Sequence, residues 1–133
     1  MLIVALSTAY AAEPIPAHVQ ERTDRALDAV DASEEQRTGV YELLSELVPK
    51  VKALHDEGHA LRDELHAVLL TPEIDRTALE DLRVDAVDLF DRGTTLAFGH
   101  IADVAELFTV SQRQALIDFH DDMRRRFHGR LAE

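Results

Sequence analysis

The stretch that decides the fold is SEEQRTGVYELLSELVPKVKALHDEGHALRDELHAVL, which runs from Ser33 to Leu69. Its apolar residues recur at steps of three, four and seven, which makes one stripe on an α-helix and no stripe on a strand. Ser33 and Gln36 fit a capping box, in which the serine side chain accepts from the Gln36 amide and the glutamine side chain reaches back. The stretch therefore predicts a long amphipathic helix with a capped start.

A second Ser-x-x-Gln box, Ser111 with Gln114, opens another apolar run late in the chain. Between the two boxes lie two apolar legs of nearly equal length, joined by a turn at Pro72. If the legs form an antiparallel hairpin, both boxes lie at one end of the molecule and Pro72 at the other. We expect Ser33 and Ser111 to be N-caps, with Gln36 and Gln114 at the third helical positions.

The pattern predicts an all-α fold of four helices with no strand signal. The expected helices are about 17–30, 33–69, from near Asp75 or Thr77 (as a Thr77-x-x-Glu80 box) to about 108, and 111 to about 128. Pro49 predicts a bend in the second helix, because it removes a backbone donor and crowds the preceding turn. Each long leg spans roughly 50 Å, so one apolar side stays uncovered unless a second copy covers it. An elongated, curved hairpin that forms a homodimer is the expected architecture.

Composition narrows the classes of partner. The chain has 133 residues and a formal net charge of −12, which suits a single domain with an acidic surface. Such a surface disfavours nucleic acid and anionic lipid and favours metal ions and basic protein segments. The sequence contains no Cys, which excludes disulfides and thiolate metal sites, and it contains seven His.

The first eleven residues form a short apolar run that ends in Ala9-Tyr10-Ala11, the small-x-small pattern of a signal-peptide cleavage site. A run of this length is too short to span a bilayer. We therefore expect residues 1–11 to be a signal-peptide remnant, residues 12–133 to be one mature domain without membrane insertion, and the protein to be periplasmic.

These features together resemble the Spy/CpxP family of periplasmic proteins, the LTXXQ-motif group that includes periplasmic heavy-metal sensors and zinc resistance-associated proteins. That family has a signal peptide, a short first helix, and two Leu-Thr-x-x-Gln boxes flanking a long hairpin. The corresponding boxes here are Ala32-Ser33-Glu34-Glu35-Gln36 and Val110-Ser111-Gln112-Arg113-Gln114, with Ser in place of Thr. The turn from Leu69 to Leu79 is also similar, and the resemblance covers about residues 17–128.

The resemblance implies a cradle-shaped α-helical dimer. It also implies either ATP-independent, chaperone-like holding of unfolded proteins in an envelope stress response, or heavy-metal binding and sensing. No cofactor is required for the first role, whereas the second uses a divalent metal such as zinc, nickel or copper. The family's metal sensors use a Glu early in the second helix and a His in the third, which would fall on Glu42 and His100.

The segment 55–66 carries the metal candidates that the residues themselves suggest. His55 and His59 stand one turn apart on one helix face, as metal ligation from a helix needs, with Asp63 continuing the line and His66 nearby. The same spacing also fits a solvated polar flank. The segment is not His-Glu-x-x-His, because Glu57 stands at the third position, so a zinc-protease reading fails.

His100 lies within the apolar stripe of the third helix, where it is either a buried neutral His or a ligand. No nucleophile stands in a motif with a His and a carboxylate, and there is no Gly-rich phosphate loop. An enzyme is therefore not expected.

Overall fold

The computed structural model describes residues 14–131. Within this range the chain forms four α-helices and no strand: α1 Ala17–Ala29, α2 Glu34–Leu69, α3 Arg76–Glu106 and α4 Val110–Leu131. The all-α prediction is confirmed, and the expected helix bounds hold to within three residues. The expected export segment lies outside the described residues. Within the described range, none of the helices has the length and apolarity needed to cross a membrane.

The long helix α2 begins where the sequence predicts. Ser33 is its N-cap, with its side chain accepting from the Gln36 amide, and the Gln36 side chain accepts from the Ser33 amide, so the capping box is complete. Glu34 and Glu35 occupy the first turn, where negative charge complements the helix dipole. The helix runs through Pro49 without interruption, as its unbroken apolar stripe predicts.

Helix α3 is capped by Asp75, whose carboxylate accepts from the Ala78 amide at 3.0 Å. The alternative start at Thr77, with its Thr77-x-x-Glu80 box, is wrong, because Thr77 already lies inside the helix. Glu80 instead binds Arg83. Asp75 lies two residues before Thr77, and its carboxylate already accepts from a first-turn amide, so the helix needs no cap at Thr77.

Helices α2 and α3 pack as an antiparallel pair. Midway along it, Arg92 of α3 binds Glu57 of α2. Nearer the start of α2, a Cβ added to Gly39 would lie 3.0 Å from Leu107 Cδ1, so glycine permits a close approach there. The contact of Gly39 is Leu107 and that of Glu57 is Arg92, so the two helices run in opposite directions, as in a helical hairpin.

The core lies at the end of the molecule where α2 and α4 begin. In the described range its buried residues are Leu27, Val30, Val40, Leu44 and Phe108. Helix α1 closes over this end, with Tyr41 donating to Asp24 at 2.6 Å. Beyond this core the α2–α3 pair continues as a thin two-helix layer, which leaves large apolar side chains in solvent.

Candidate functional site

The starts of α2 and α4 are joined by a reciprocal pair of side-chain amides. Gln36 Nε2 donates to Gln112 Oε1 at 2.8 Å, and Gln112 Nε2 donates to Gln36 Oε1 at 3.1 Å. Gln36 Nε2 also donates to the Leu107 carbonyl at 2.9 Å, and Gln112 Nε2 reaches the Val30 carbonyl at 3.4 Å. The prediction that the two helix starts lie at one end of the molecule is confirmed.

The second cap, however, is two residues earlier than the sequence pattern suggested. Helix α4 begins at Val110, the Gln112 amide donates to Thr109 Oγ1 at 3.2 Å, and the Thr109 amide donates to Gln112 Oε1 at 3.1 Å. Ser111 therefore lies inside the first turn, and Gln114 instead donates to Asp118. The predicted caps Ser111 and Gln114 are wrong.

The signal that marks the true cap is present in the sequence. Phe108-Thr109-Val110-Ser111-Gln112 carries a Thr with a Gln three residues later, directly after a buried apolar residue. Thr109 and Gln112 are the residues that sequence reasoning missed. The overlapping pattern Ser111-x-x-Gln114 was chosen in their place, because both patterns satisfy the same general rule for a capping box.

The predicted histidine pair on α2 forms. His55 Nε2 and His59 Nε2 lie 2.7 Å apart, close enough for one ring to donate a hydrogen bond to the other. The rings meet edge to face, with centroids 4.3 Å apart. Both side chains are exposed. Two imidazole nitrogens at this distance form a ready two-ligand arrangement on one helix turn.

The structure does not bring Asp63 or His66 to this pair. In residues 14–131, no cluster of three or more His, Asp or Glu side chains is placed to hold one metal ion. His66 stands seven residues beyond His59, a rise of about 10 Å along the helix. Asp63 is only one turn beyond His59, but its side chain is short and remains exposed.

The acidic residues of α3 also stay away from the histidine pair. Gly58 faces α3, with Leu89 in van der Waals range of an added Cβ. His55 and His59 lie about 60–100° around α2 from Gly58, on a side that α3 does not reach. Two hairpin legs of nearly equal length place Asp88–Asp91 level with the pair, which predicts acidic residues within its reach. This prediction is wrong: Asp88 binds Arg92, and no cluster of three such groups forms in the part of the chain that the structure describes.

His100 lies nearer the capped end than the pair, beside Leu43 and Leu47 of α2. It is half-buried and lines one cavity with Leu43 and Lys50 and a second among all four helices. Burial lowers the pKa of His100, and the nearby Asp103 carboxylate partly offsets this effect.

Five large, exposed apolar residues lie on α3, and we call them the α3 stripe: Val84, Val87, Phe90, Phe98 and Ile101. Phe90 is 73% exposed and Phe98 is 72% exposed. At 100° per residue the five positions fall within about 120° of each other. They lie roughly a third of a turn from the side of α3 that packs on α2. Helix α3 thus has two apolar faces, of which one has no partner in the described chain.

An acidic edge runs beside the α3 stripe, formed by Asp81, Asp85, Asp88 and Asp91, all exposed. At 100° per residue Asp81, Asp85 and Asp88 lie about 40–100° beyond Val84 around α3, and Asp91 lies within the stripe. Arg92 neutralises part of this charge by binding Asp88 and Glu57. Those contacts hold the pKa of the Glu57 carboxyl below its usual value. An apolar stripe with an acidic edge suits a partner that is both apolar and basic.

A scan of protein-family models finds no match to this chain, and searches of curated proteins and of solved structures find none either.

Proposed function

We propose that this protein is a periplasmic, Spy/CpxP-like binding protein that holds unfolded or stress-related polypeptides without ATP. The observation that carries the proposal is the α3 stripe, with Phe90 and Phe98 both more than 70% exposed. Large contiguous apolar patches on a folded protein mark interaction sites. An apolar surface along one helix holds an unstructured segment through side-chain burial without requiring a particular sequence.

The two capping boxes support the family assignment. In the frame that α4 uses, the second box is Phe108-Thr109-Val110-Ser111-Gln112, which keeps the Thr and the Gln of Leu-Thr-x-x-Gln. The two glutamines hydrogen-bond each other. This pairing gives a physical reason for two such boxes in one chain: each caps its own helix and ties it to the other. Export to the periplasm is proposed from residues 1–11.

Charge on the acidic edge would select which unfolded polypeptide, or client, the protein holds. A client segment rich in Lys and Arg gains attraction to the edge while its apolar side chains cover the stripe. Exposed charges of this kind are screened within about 8 Å at physiological ionic strength. Binding of a basic client should therefore weaken with added salt, and an acidic client of similar apolarity should bind less well.

The homodimer is part of the same proposal. Exposed apolar residues also gather around the turn end of the α2–α3 pair, at Leu65, Leu69, Leu70 and Ile74. A second copy packed there would cover them and leave the α3 stripe open to a client. Light scattering coupled to gel filtration measures the mass directly, and a monomer at micromolar concentration would remove the dimer from the proposal.

Aggregation of a chemically reduced basic protein, such as lysozyme, tests the holding function. The wild type should suppress light scattering at equal molar ratio, and the double variant Phe90→Ser, Phe98→Ser should not. Phe127→Ser is the control, because Phe127 is 66% exposed and belongs to α4 and not to the stripe. Equal activity of the stripe variant and the wild type would reject the stripe as the holding surface, and no suppression by the wild type would reject the function.

A second candidate function, metal binding or sensing, is supported by the 2.7 Å approach of His55 Nε2 to His59 Nε2. A zinc, nickel or copper ion would replace the hydrogen bond between the rings and take its remaining ligands from water or from another copy. Calorimetric titration tests this candidate. Binding should vanish in His55→Ala, His59→Ala and persist in His66→Ala, and binding that survives the double change would exclude the pair.

A further inference from the structure

A cavity of about 360 Å³ lies among the four helices at the capped end of the molecule. Every helix contributes to its wall, with Leu27 from α1, Leu44 from α2, Val104 from α3, and Phe119 and Met123 from α4 among the apolar residues. The cavity is open to solvent, and its lining residues Arg22, Arg25 and His120 are exposed. It is separate from the α3 stripe, none of whose residues line it.

The permanently charged groups that line this cavity are two arginines, Arg22 and Arg25 of α1. His100 of α3 and His120 of α4 also line it, and no Asp or Glu does so in the part of the chain that the structure describes. The chain as a whole has 26 acidic and 14 basic residues, so the absence of a carboxylate from this wall stands out.

Nearby carboxylates leave one of the two arginines of this wall without a partner among the described residues. Glu21 binds Arg25 on the outer side of α1, and Asp103 lies near His100. Arg22 forms no ion pair with any residue in the described range.

We propose that this cavity is a binding site for a small amphiphile with one anionic headgroup, of the medium-chain fatty-acid class. The apolar wall takes the tail, and Arg22, with Arg25 and His120, takes the carboxylate at the open side. Ligand cavities span about 300–1,000 Å³ and combine an apolar lining with a few polar groups that fix orientation. A cavity at the lower end of that range fits a short tail, which selects medium-chain acids over long-chain ones.

Isothermal titration of the full chain with octanoate, decanoate and dodecanoate, each below its micelle-forming concentration, tests the site. Decanoate should bind with one site per chain, and decyltrimethylammonium, which has the same tail and the opposite charge, should not. Arg22→Ala should weaken decanoate binding about fivefold, the upper range for one partly exposed ion pair. Met123→Trp, which fills the cavity, should abolish it.

Two controls locate the binding. Arg76→Ala removes the same charge at the first residue of α3, beside the turn, and should leave the affinity unchanged. Phe98→Ser alters the α3 stripe and should also leave it unchanged, so the site stands or falls independently of the polypeptide-holding function. The proposal is overturned if no carboxylate binds, if the ammonium binds equally well, or if Arg76→Ala weakens binding as much as Arg22→Ala.

Discussion

Replacing Gln112 by Ala should destabilise the fold far more than the same change at Gln114, two residues away on the same helix. The Gln112 side chain accepts from the Thr109 amide at 3.1 Å, and it both donates to and accepts from Gln36, at 3.1 and 2.8 Å. Gln114 is exposed and donates to Asp118 at 3.1 Å.

The magnitude follows from these contacts. A net intramolecular hydrogen bond contributes about 0.5–1.5 kcal/mol. Gln112→Ala removes these three bonds at a half-buried position, together with the longer contacts to the Val30 carbonyl and Thr109 Oγ1, both at 3.4 Å. Water replaces part of them, and the Gln36 amide keeps the Leu107 carbonyl and the Ser33 amide as partners. We therefore expect a loss of about 2 kcal/mol in the free energy of unfolding. Gln114→Ala should change it by less than about 0.5 kcal/mol, as is usual for exposed sites.

Urea unfolding followed by far-ultraviolet circular dichroism measures both values on one instrument. The double change Gln36→Ala, Gln112→Ala should cost less than the sum of the single changes, by about 1 kcal/mol, since both remove the same amide pair. Equal losses for Gln112→Ala and Gln114→Ala would refute the cap assignment, and strict additivity with Gln36→Ala would refute the pairing.

Three further predictions concern the same end of the molecule. Thr109→Ala should cost about 1 kcal/mol of unfolding free energy as a lost N-cap, while Ser111→Ala should be nearly neutral in the same urea titration. The hydrogen bond to Asp24 raises the pKa of Tyr41 to about 12, and burial raises it further in the same direction. The protonated Tyr41 therefore stabilises the fold fully below pH 10, and this stabilisation is lost as the pH rises through 12. Tyr41→Phe should therefore lower stability by about 1 kcal/mol at pH 8 and flatten the alkaline limb of the stability curve. Burial lowers the pKa of His100 below the usual histidine value of 6.5, so the wild type should lose stability as the pH falls below 6.5. Chemical denaturation at successive pH values measures this slope, and His100→Leu should remove the part of it that is due to His100.

Much of this fold could be predicted from periodicity and capping. The apolar spacing in 33–69 predicted the bounds of α2 to within one residue. The same spacing continues on both sides of Pro49, which correctly indicated that the helix is not broken there. The frame of the second cap could not be decided, because Thr109-x-x-Gln112 and Ser111-x-x-Gln114 obey one rule and differ only in tertiary contacts. Gln112 reaches Gln36 across the molecule, and this contact is not visible in local sequence.

The candidate sites were less predictable than the helices. The spacing of His55 and His59 was enough to place their rings together, because one helix turn fixes both positions. Whether a third ligand joins them depends on which side of α2 faces α3, and that requires the packing. The α3 stripe was concealed, since its residues and the residues that pack on α2 form one broad apolar pattern. Burial separates them, with Leu96 half-buried and Phe98 exposed.

Site-specific photo-crosslinking measures polypeptide holding at the α3 stripe most directly. A photoreactive phenylalanine analogue replaces Phe98 in one preparation and Phe127 in another, and each is irradiated with reduced lysozyme. We expect an adduct at position 98 that declines with added salt, and little adduct at position 127. Equal adducts at the two positions, or none at position 98 while aggregation is still suppressed, would contradict polypeptide holding at the α3 stripe.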